Sequence, residues 1–291
     1  MSSTPLHVHD HGGEGPALLL LHGAGRSHAD WDAVVPFLLP HHRVLAADLP
    51  GHGGSAAPPA GGWSFESAAT AIETALRDHG APDAALVGHS LGGMTAAFCA
   101  ATRPGTPAAV NLDGFWWGTP GRYEADARVR ETVRAAAGAV MPAEYIAQQA
   151  AYAGKFGIPY GRAERAARAA ARELPDGRWQ TLPERDISLA MYDEMDALDL
   201  FALFRKVECP LLLVRAGREQ PPGPPGMEWF DAFLSEYGAG LTDDLAALRA
   251  YRPETVTVER IDATHALLLE EPEAVAALVR GFVTRPGPQG S

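Results

Sequence analysis

The chain has 291 residues, 46% of them hydrophobic, and a formal net charge of -12. That is enough apolar material for one large domain, or one domain carrying an insertion, and it argues against a disordered chain. The acidic balance excludes a general nucleic-acid binder, which needs a basic surface to neutralise phosphates. No stretch approaches the roughly 18 consecutive apolar residues of a bilayer span, and the first ten residues lack the basic-then-apolar order of a secretory signal. Two cysteines, Cys99 and Cys209, are too few for a disulfide framework and sit in apolar stretches. The expectation is a cytoplasmic protein with buried, structural thiols.

Taken in chain order, the first notable feature is the run His7, His9, His11, which resembles a metal-binding tract. No Cys or Asp ligand accompanies it at a helical spacing, so it reads as a solvated terminus. From residue 17 to residue 113 short apolar runs alternate with helical stretches, the pattern of a parallel sheet covered by helices. Residues 17–21, 44–47, 84–87 and 108–112 read as strands, the last ending at Asp113; the next, 210–215, follows only after a gap of roughly ninety residues. The intervening 115–205 is rich in Ala, Arg and Glu at helical spacing, as in RAERAARA at 162–169, and is expected to form a helical cap. The core is then 1–114 plus 206–285. Residues 219–226 (EQPPGPPG) read as a stiff loop, 227–237 and 242–249 as two short helices, 255–261 as the last strand, 272–283 as a helix and 286–291 as a disordered tail.

The segment Gly88-His89-Ser90-Leu91-Gly92 lies where a buried strand turns abruptly into a helix. Such a turn exposes a serine, and the strained backbone brings chain so close that only glycine fits two residues to either side. A serine hydroxyl is a poor nucleophile at neutral pH and needs a base within hydrogen-bond reach plus a carboxylate to fix the base's tautomer. His265, after the last strand, is the candidate base; His22 and His89 lie in motifs nearby but read as scaffold. Two amides must receive the developing oxyanion: that of Ala24, in the turn His22-Gly23-Ala24-Gly25, and that of Leu91 at a helix N-terminus. The same turn lacks the Lys and Ser/Thr of a phosphate-binding loop.

The landmarks LLLLHGAG, DLPGHGGS, VGHSLGG and DATHALLLEEP resemble those of the α/β-hydrolase superfamily over most of the chain outside the cap. The resemblance implies an α/β fold with a mostly parallel sheet flanked by helices and an inserted helical cap. It also implies Ser90 as nucleophile, His265 as base, the amides of Ala24 and Leu91 as oxyanion hole, and a structural role for residues 48–55. The chain departs from the common pattern at the acid. Most relatives place an Asp three residues after a Gly at the end of the 210–215 strand, but here Gly217 is followed by Arg218, Glu219 and Gln220. A neutral amide cannot stabilise an imidazolium. Asp113, ending the strand beside the nucleophile's own, is the leading alternative, with Glu219 and Asp262 as competitors.

Phe115, Trp116 and Trp117 follow Asp113 directly, and Trp31 follows the oxyanion turn. They are read as a substrate pocket for an apolar acyl or aromatic group, with gluing of cap to core as the alternative. Arg122, Arg128 and Arg130 read as a solvated helix face rather than a carboxylate site. The resulting expectation is a serine hydrolase of an ester, lactone or thioester, working through an acyl-enzyme on a small molecule, with no metal or cofactor and no nucleic-acid or membrane partner. A serine rather than an aspartate at position 90 disfavours dehalogenase and epoxide hydrolase chemistry. Acyl transfer or cyclisation, C–C hydrolysis, a cofactor-free lyase and a non-catalytic receptor on the same scaffold stay open.

Overall fold

In a computed structural model the chain is described over residues 5–59, 62–118, 120–218 and 226–284. Among the described residues ten strands form two sheets: β1 (Val8–Gly12), β2 (Ala17–Leu21), β3 (Arg43–Ala47), β4 (Ala85–His89), β5 (Ala109–Leu112), β6 (Val140–Met141), β7 (Ala171–Glu173), β8 (Trp179–Thr181), β9 (Leu211–Ala216) and β10 (Val256–Ile261). The main sheet runs β1-β3-β2-β4-β5-β9-β10, parallel throughout except for β1, which pairs antiparallel with β3 at the edge. Parallel strands covered on both faces are written as unbroken apolar runs, which is why β2 and β4 were legible. The period of two sends Leu19 and Leu21 to one face and Leu18 and Leu20 to the other. The first face packs under the Phe65–Asp78, Leu91–Thr102 and Glu228–Tyr251 helices, the second under Val35–Leu38 and Pro272–Val283.

Three expectations change. The run His7, His9, His11 is not a free terminus, since Val8–Gly12 is a sheet strand with Val8 opposite Ala47. A single 24-residue helix, Glu228–Tyr251, replaces the two short ones. Its Gly238 and Gly240 do not break it but let neighbours approach: a Cβ on Gly240 would stand 2.6 Å from the Tyr123 hydroxyl. The insertion between β5 and β9 is not all helical, because β6, β8 and β7 form a small antiparallel sheet among its helices. Its last helix, Leu200–Lys206, turns Leu200, Leu203 and Phe204 into the main core, as the preceding helix Arg185–Ala197 does with Ile187, Met191 and Met195. The loop at 219–225 and the tail at 285–291 lie outside the described residues. Among the described residues no helix is long and apolar enough to cross a membrane.

The turn from β4 into the Leu91–Thr102 helix is tightly packed. Ser90 holds φ 53 and ψ -121, a conformation that disfavours a side chain. A Cβ on Gly88 would fall on the Gly92 carbonyl, and one on Gly92 would fall on the Leu21 carbonyl of the adjacent strand. Both obstacles are backbone and cannot swing away. Gly92→Ala is therefore expected to lose about 3 kcal/mol of stability, whereas Gly281→Ala, on an exposed helical position with open space around it, gains about 0.5–1 kcal/mol. Urea denaturation of the two variants checks the opposite signs.

Candidate active site

At the C-terminal ends of the central strands, three side chains distant in sequence meet. Ser90 Oγ lies 3.1 Å from His265 Nε2, and His265 Nδ1 lies 2.7 Å from Asp113 Oδ2. Asp113 follows β5 with φ 51, a left-handed conformation held from both sides. Its N–H donates to the Val214 carbonyl at 2.7 Å, and its Oδ1 accepts from the Ala216 N–H at 2.9 Å. The chain then reverses through a side-chain clamp that sequence reasoning missed. Buried Asn111 accepts from the Gly114 N–H at 2.6 Å and donates to the Gly114 carbonyl at 2.9 Å. A polar residue inside an otherwise apolar strand was the available signal.

His265 is positioned through its backbone. His89 Nε2 donates to the His265 carbonyl at 2.8 Å, which requires the proton on Nε2 because a carbonyl only accepts. The Thr264 N–H donates to Glu270 Oε2 at 3.0 Å, the Thr264 hydroxyl donates to the other oxygen, and Arg218 pairs with the same buried carboxylate at 3.1 Å. Glu270 belongs to the quoted DATHALLLEEP run, yet sequence reasoning gave it no part. Asp262 points away: it is 88% exposed and pairs with Arg218 at 3.3 Å. Glu219 lies outside the described residues.

Electrostatics separate the histidines. Burial disfavours protonation of His265, but the hydrogen bond and charge of Asp113 outweigh it and raise its pKa above the ordinary imidazole value. Asp113 is the converse case, with burial opposing ionisation and the His265 and Ala216 hydrogen bonds lowering its pKa overall. His89 and His52 have no carboxylate in direct contact, and burial pulls each down to about 3. His22 is lowered for the same reason. The His22 and His52 rings brace the turn at 22–25: His22 donates to the Gly23 carbonyl at 2.8 Å and accepts from the Leu49 N–H at 2.9 Å, while the Gly25 N–H donates to His52 at 3.2 Å. Gly23 is small because a Cβ there would press on Ser90 Cβ at 3.1 Å. Ala24 flanks Ser90 at the cavity wall. Leu91 opens its helix, where the first amides have no intrahelical acceptor.

A cavity of about 320 Å³ opens on Ser90 and His265. Its walls come from the insertion, the His265 loop and the chain after β2: Ala153, Phe156, Ile158, Ala163, Ala167, Leu268 and Leu269 line it, with Gln149, Tyr152 and Ala24. The one ion pair in the wall, Arg26 with Asp30, is closed on itself at 2.6 and 2.7 Å. None of the four aromatic residues expected here lines this cavity. Trp31 is fully buried in the core on the second sheet face. Phe115 packs edge-on to Phe204, and Trp117 packs edge-on to Phe233. Trp116 donates to Asp196 at 2.6 Å and borders a separate cavity of about 220 Å³. Aromatic bulk after Asp113 joins insertion to core, while the wall at Ser90 comes from alanines spaced four apart on the Tyr160–Ala169 helix. Of the three arginines, Arg122 and Arg128 are exposed as expected and Arg130 is not. Arg130 is buried beside Asp126 and Asp196, Arg122 pairs with Asp244 at 2.6 Å, and Arg128 lies 3.9 Å over the Trp229 ring. Both thiols are unpaired, Cys99 buried and Cys209 half-buried, and burial pushes Cys99 up to about 12 and Cys209 up to about 11.

Comparison with known proteins gives a consistent picture. The profile of a family described as "Alpha/beta hydrolase family" matches residues 18–278. A pimeloyl-[acyl-carrier protein] methyl ester esterase of Methylococcus capsulatus is 40% identical over 100 residues, 34% of this chain and 37% of that protein. The lipase LipV of Mycobacterium tuberculosis is 37% identical over 108 residues, 37% of this chain and 40% of the lipase. These alignments span well under half the length of the curated relatives. Over nearly the full length, the fold is similar to that of E-2-(acetamidomethylene)succinate hydrolase, with a TM-score of 0.73 and 24% identity over 96% of this chain and 95% of that one.

Because the Asp113 contact is what lifts the His265 pKa, Asp113→Asn is expected to move the His265 titration downward. Imidazole NMR of the wild type and the variant, with His265→Gln to assign the signal, measures the direction.

Proposed function

The chain belongs to the alpha/beta hydrolase family, and we propose that it acts as a serine hydrolase, cleaving the ester, thioester or lactone bond of a small molecule with an apolar acyl portion. The observation that carries this reading is the unbroken path from Asp113 through both nitrogens of His265 to Ser90 Oγ. Ester hydrolysis in general is further supported by relatives named as esterases and lipases.

In this reading Ser90 Oγ attacks the substrate carbonyl while His265 Nε2 takes its proton, and Asp113 holds the Nδ1–H tautomer and stabilises the imidazolium. The amides of Ala24 and Leu91 receive the oxyanion; losing one such donor typically costs about 3 kcal/mol of barrier. Collapse expels the leaving group, which takes the proton from His265, and leaves an acyl-enzyme. Water, deprotonated by the same imidazole, then releases the acid and restores Ser90. The apolar wall from Ala153 to Leu269 favours an acyl chain or ring over a charged one.

A fluorophosphonate probe followed by mass spectrometry tests the nucleophile. Modification is expected at Ser90 and is lost in Ser90→Ala; an unlabelled wild-type protein would instead favour a receptor on this scaffold. Asp113→Asn is expected to lower kcat by about 10⁴ with p-nitrophenyl esters. Since the base must be neutral and its pKa is raised, the rate should fall as pH drops, with its midpoint above the ordinary imidazole value and displaced downward in Asp113→Asn. Ala153→Phe, filling the cavity wall, is expected to cut kcat/KM for an octanoyl ester about tenfold more than for an acetyl ester.

A further inference from the structure

The histidine run at the N-terminus acquires in the fold what it lacks in the sequence. On a strand, alternate residues share one side, and the rings follow: His9 lies 4.3 Å from His11 and stacks on His28 at 5.7 Å, while His7 lies 5.2 Å from His28. The row ends at Asp48, which follows β3 and is fully buried. His7 Nδ1 is 3.1 Å from Asp48 Oδ2, and His28 Nδ1 is 3.0 and 3.1 Å from the two carboxylate oxygens.

We propose that His7, His28 and Asp48 form a binding site for a divalent transition-metal ion of the zinc class, separate from the Ser90 centre. One ligand atom from each of the three residues lies within 4.8 Å of the others. A tetrahedral site with bonds of about 2.0–2.1 Å separates its ligand atoms by about 3.3 Å, so the observed nitrogen-to-oxygen spacings need to open by only a few tenths of an ångström. With the neutral imidazoles protonated at Nε2, each Nδ1 offers a lone pair within 3.1 Å of the Asp48 carboxylate. Two imidazoles and one carboxylate suit zinc, nickel or copper, whereas calcium and magnesium take all-oxygen shells. The carboxylate is pre-oriented, accepting from the His28 N–H at 2.7 Å and the Gly54 N–H at 2.9 Å, the kind of support that tunes metal sites. Access is open, since His7 is 46% exposed, and solvent can supply the fourth ligand. Bound there, the ion would cross-link the edge strand, the turn carrying His28 and the loop after β3. His28 follows the oxyanion turn by only a few residues, so the same tie would stiffen that turn.

The test uses tag-free, full-length protein treated with EDTA and then titrated with Zn²⁺ by calorimetry, with Co²⁺ absorption reporting coordination. One Zn²⁺ per chain and a rise in melting temperature are expected. His7→Gln and His28→Gln should each weaken binding at least tenfold, while His9→Gln and His11→Gln stay within about threefold. Asp48→Asn is avoided because the carboxylate also caps two amides; exposed His7 gives a variant that keeps its fold, verified by circular dichroism without metal. The proposal is overturned if the wild type shows no one-to-one binding. It is overturned equally if affinity survives His7→Gln and His28→Gln but falls with His9→Gln or His11→Gln, which would mark a surface run of imidazoles only.

Discussion

Backbone meets backbone at Ser90 with no side chain between, and the rest of the site is arranged around that contact. Gly92 lies against the Leu21 carbonyl, Gly88 against Gly92, and Gly114 against the carbonyl of Ser90 itself. The Ser90 N–H donates to the Leu112 carbonyl at 2.9 Å, which ties the turn to the strand that delivers Asp113. The strained φ of Ser90 is tolerated because packing on every side leaves the chain nowhere to relax. The same closeness puts the ends of β2, β4 and β5 within reach of one small volume. The Ser90 hydroxyl and the Asp113 carboxylate are then spanned by the single imidazole of His265.

Within this volume the protein treats identical rings differently. His22, His52 and His89 are buried without a carboxylate in hydrogen-bond contact, and each stays neutral, bracing a turn or a carbonyl. His265 has half of its side chain open and Asp113 against Nδ1, and it alone among the four is shifted toward protonation. The ring that favours a proton is thus the one 3.1 Å from the Ser90 hydroxyl. The neutral rings fix geometry without competing for the proton.

The core sheet was legible because buried parallel strands are written as continuous apolar runs, and the Gly-x-Ser-x-Gly turn because steric need forces its composition. Sequence pointed to Ser90, His265 and Asp113, and the structure puts them in hydrogen-bond contact. What eluded the sequence depends on long-range partners. Val8–Gly12 alternates too weakly to announce an edge strand, and its pairing with β3 is set by tertiary context. The break expected at Gly238 and Gly240 failed because those glycines admit Tyr123 and Arg215 to the helix surface. The tryptophans misled because nearness in sequence to Asp113 says nothing of side-chain direction: Trp116 and Trp117 stack on each other at 4.2 Å, away from the cavity wall. Alanines carry no chemical signal, so the part of the wall that Ala153, Ala163 and Ala167 supply was not legible.

Asp113 is fastened to β9 through Val214 and Ala216 immediately before the chain leaves for its excursion from residue 115 to β9. The anchor and the excursion thus load different contacts. Length, helix count and wall residues of the inserted segment can diverge without transmitting displacement to the carboxylate, provided the register between β5 and β9 is kept. The carboxylate is thus held by the sheet itself, and the segment that walls the cavity starts beyond that anchor.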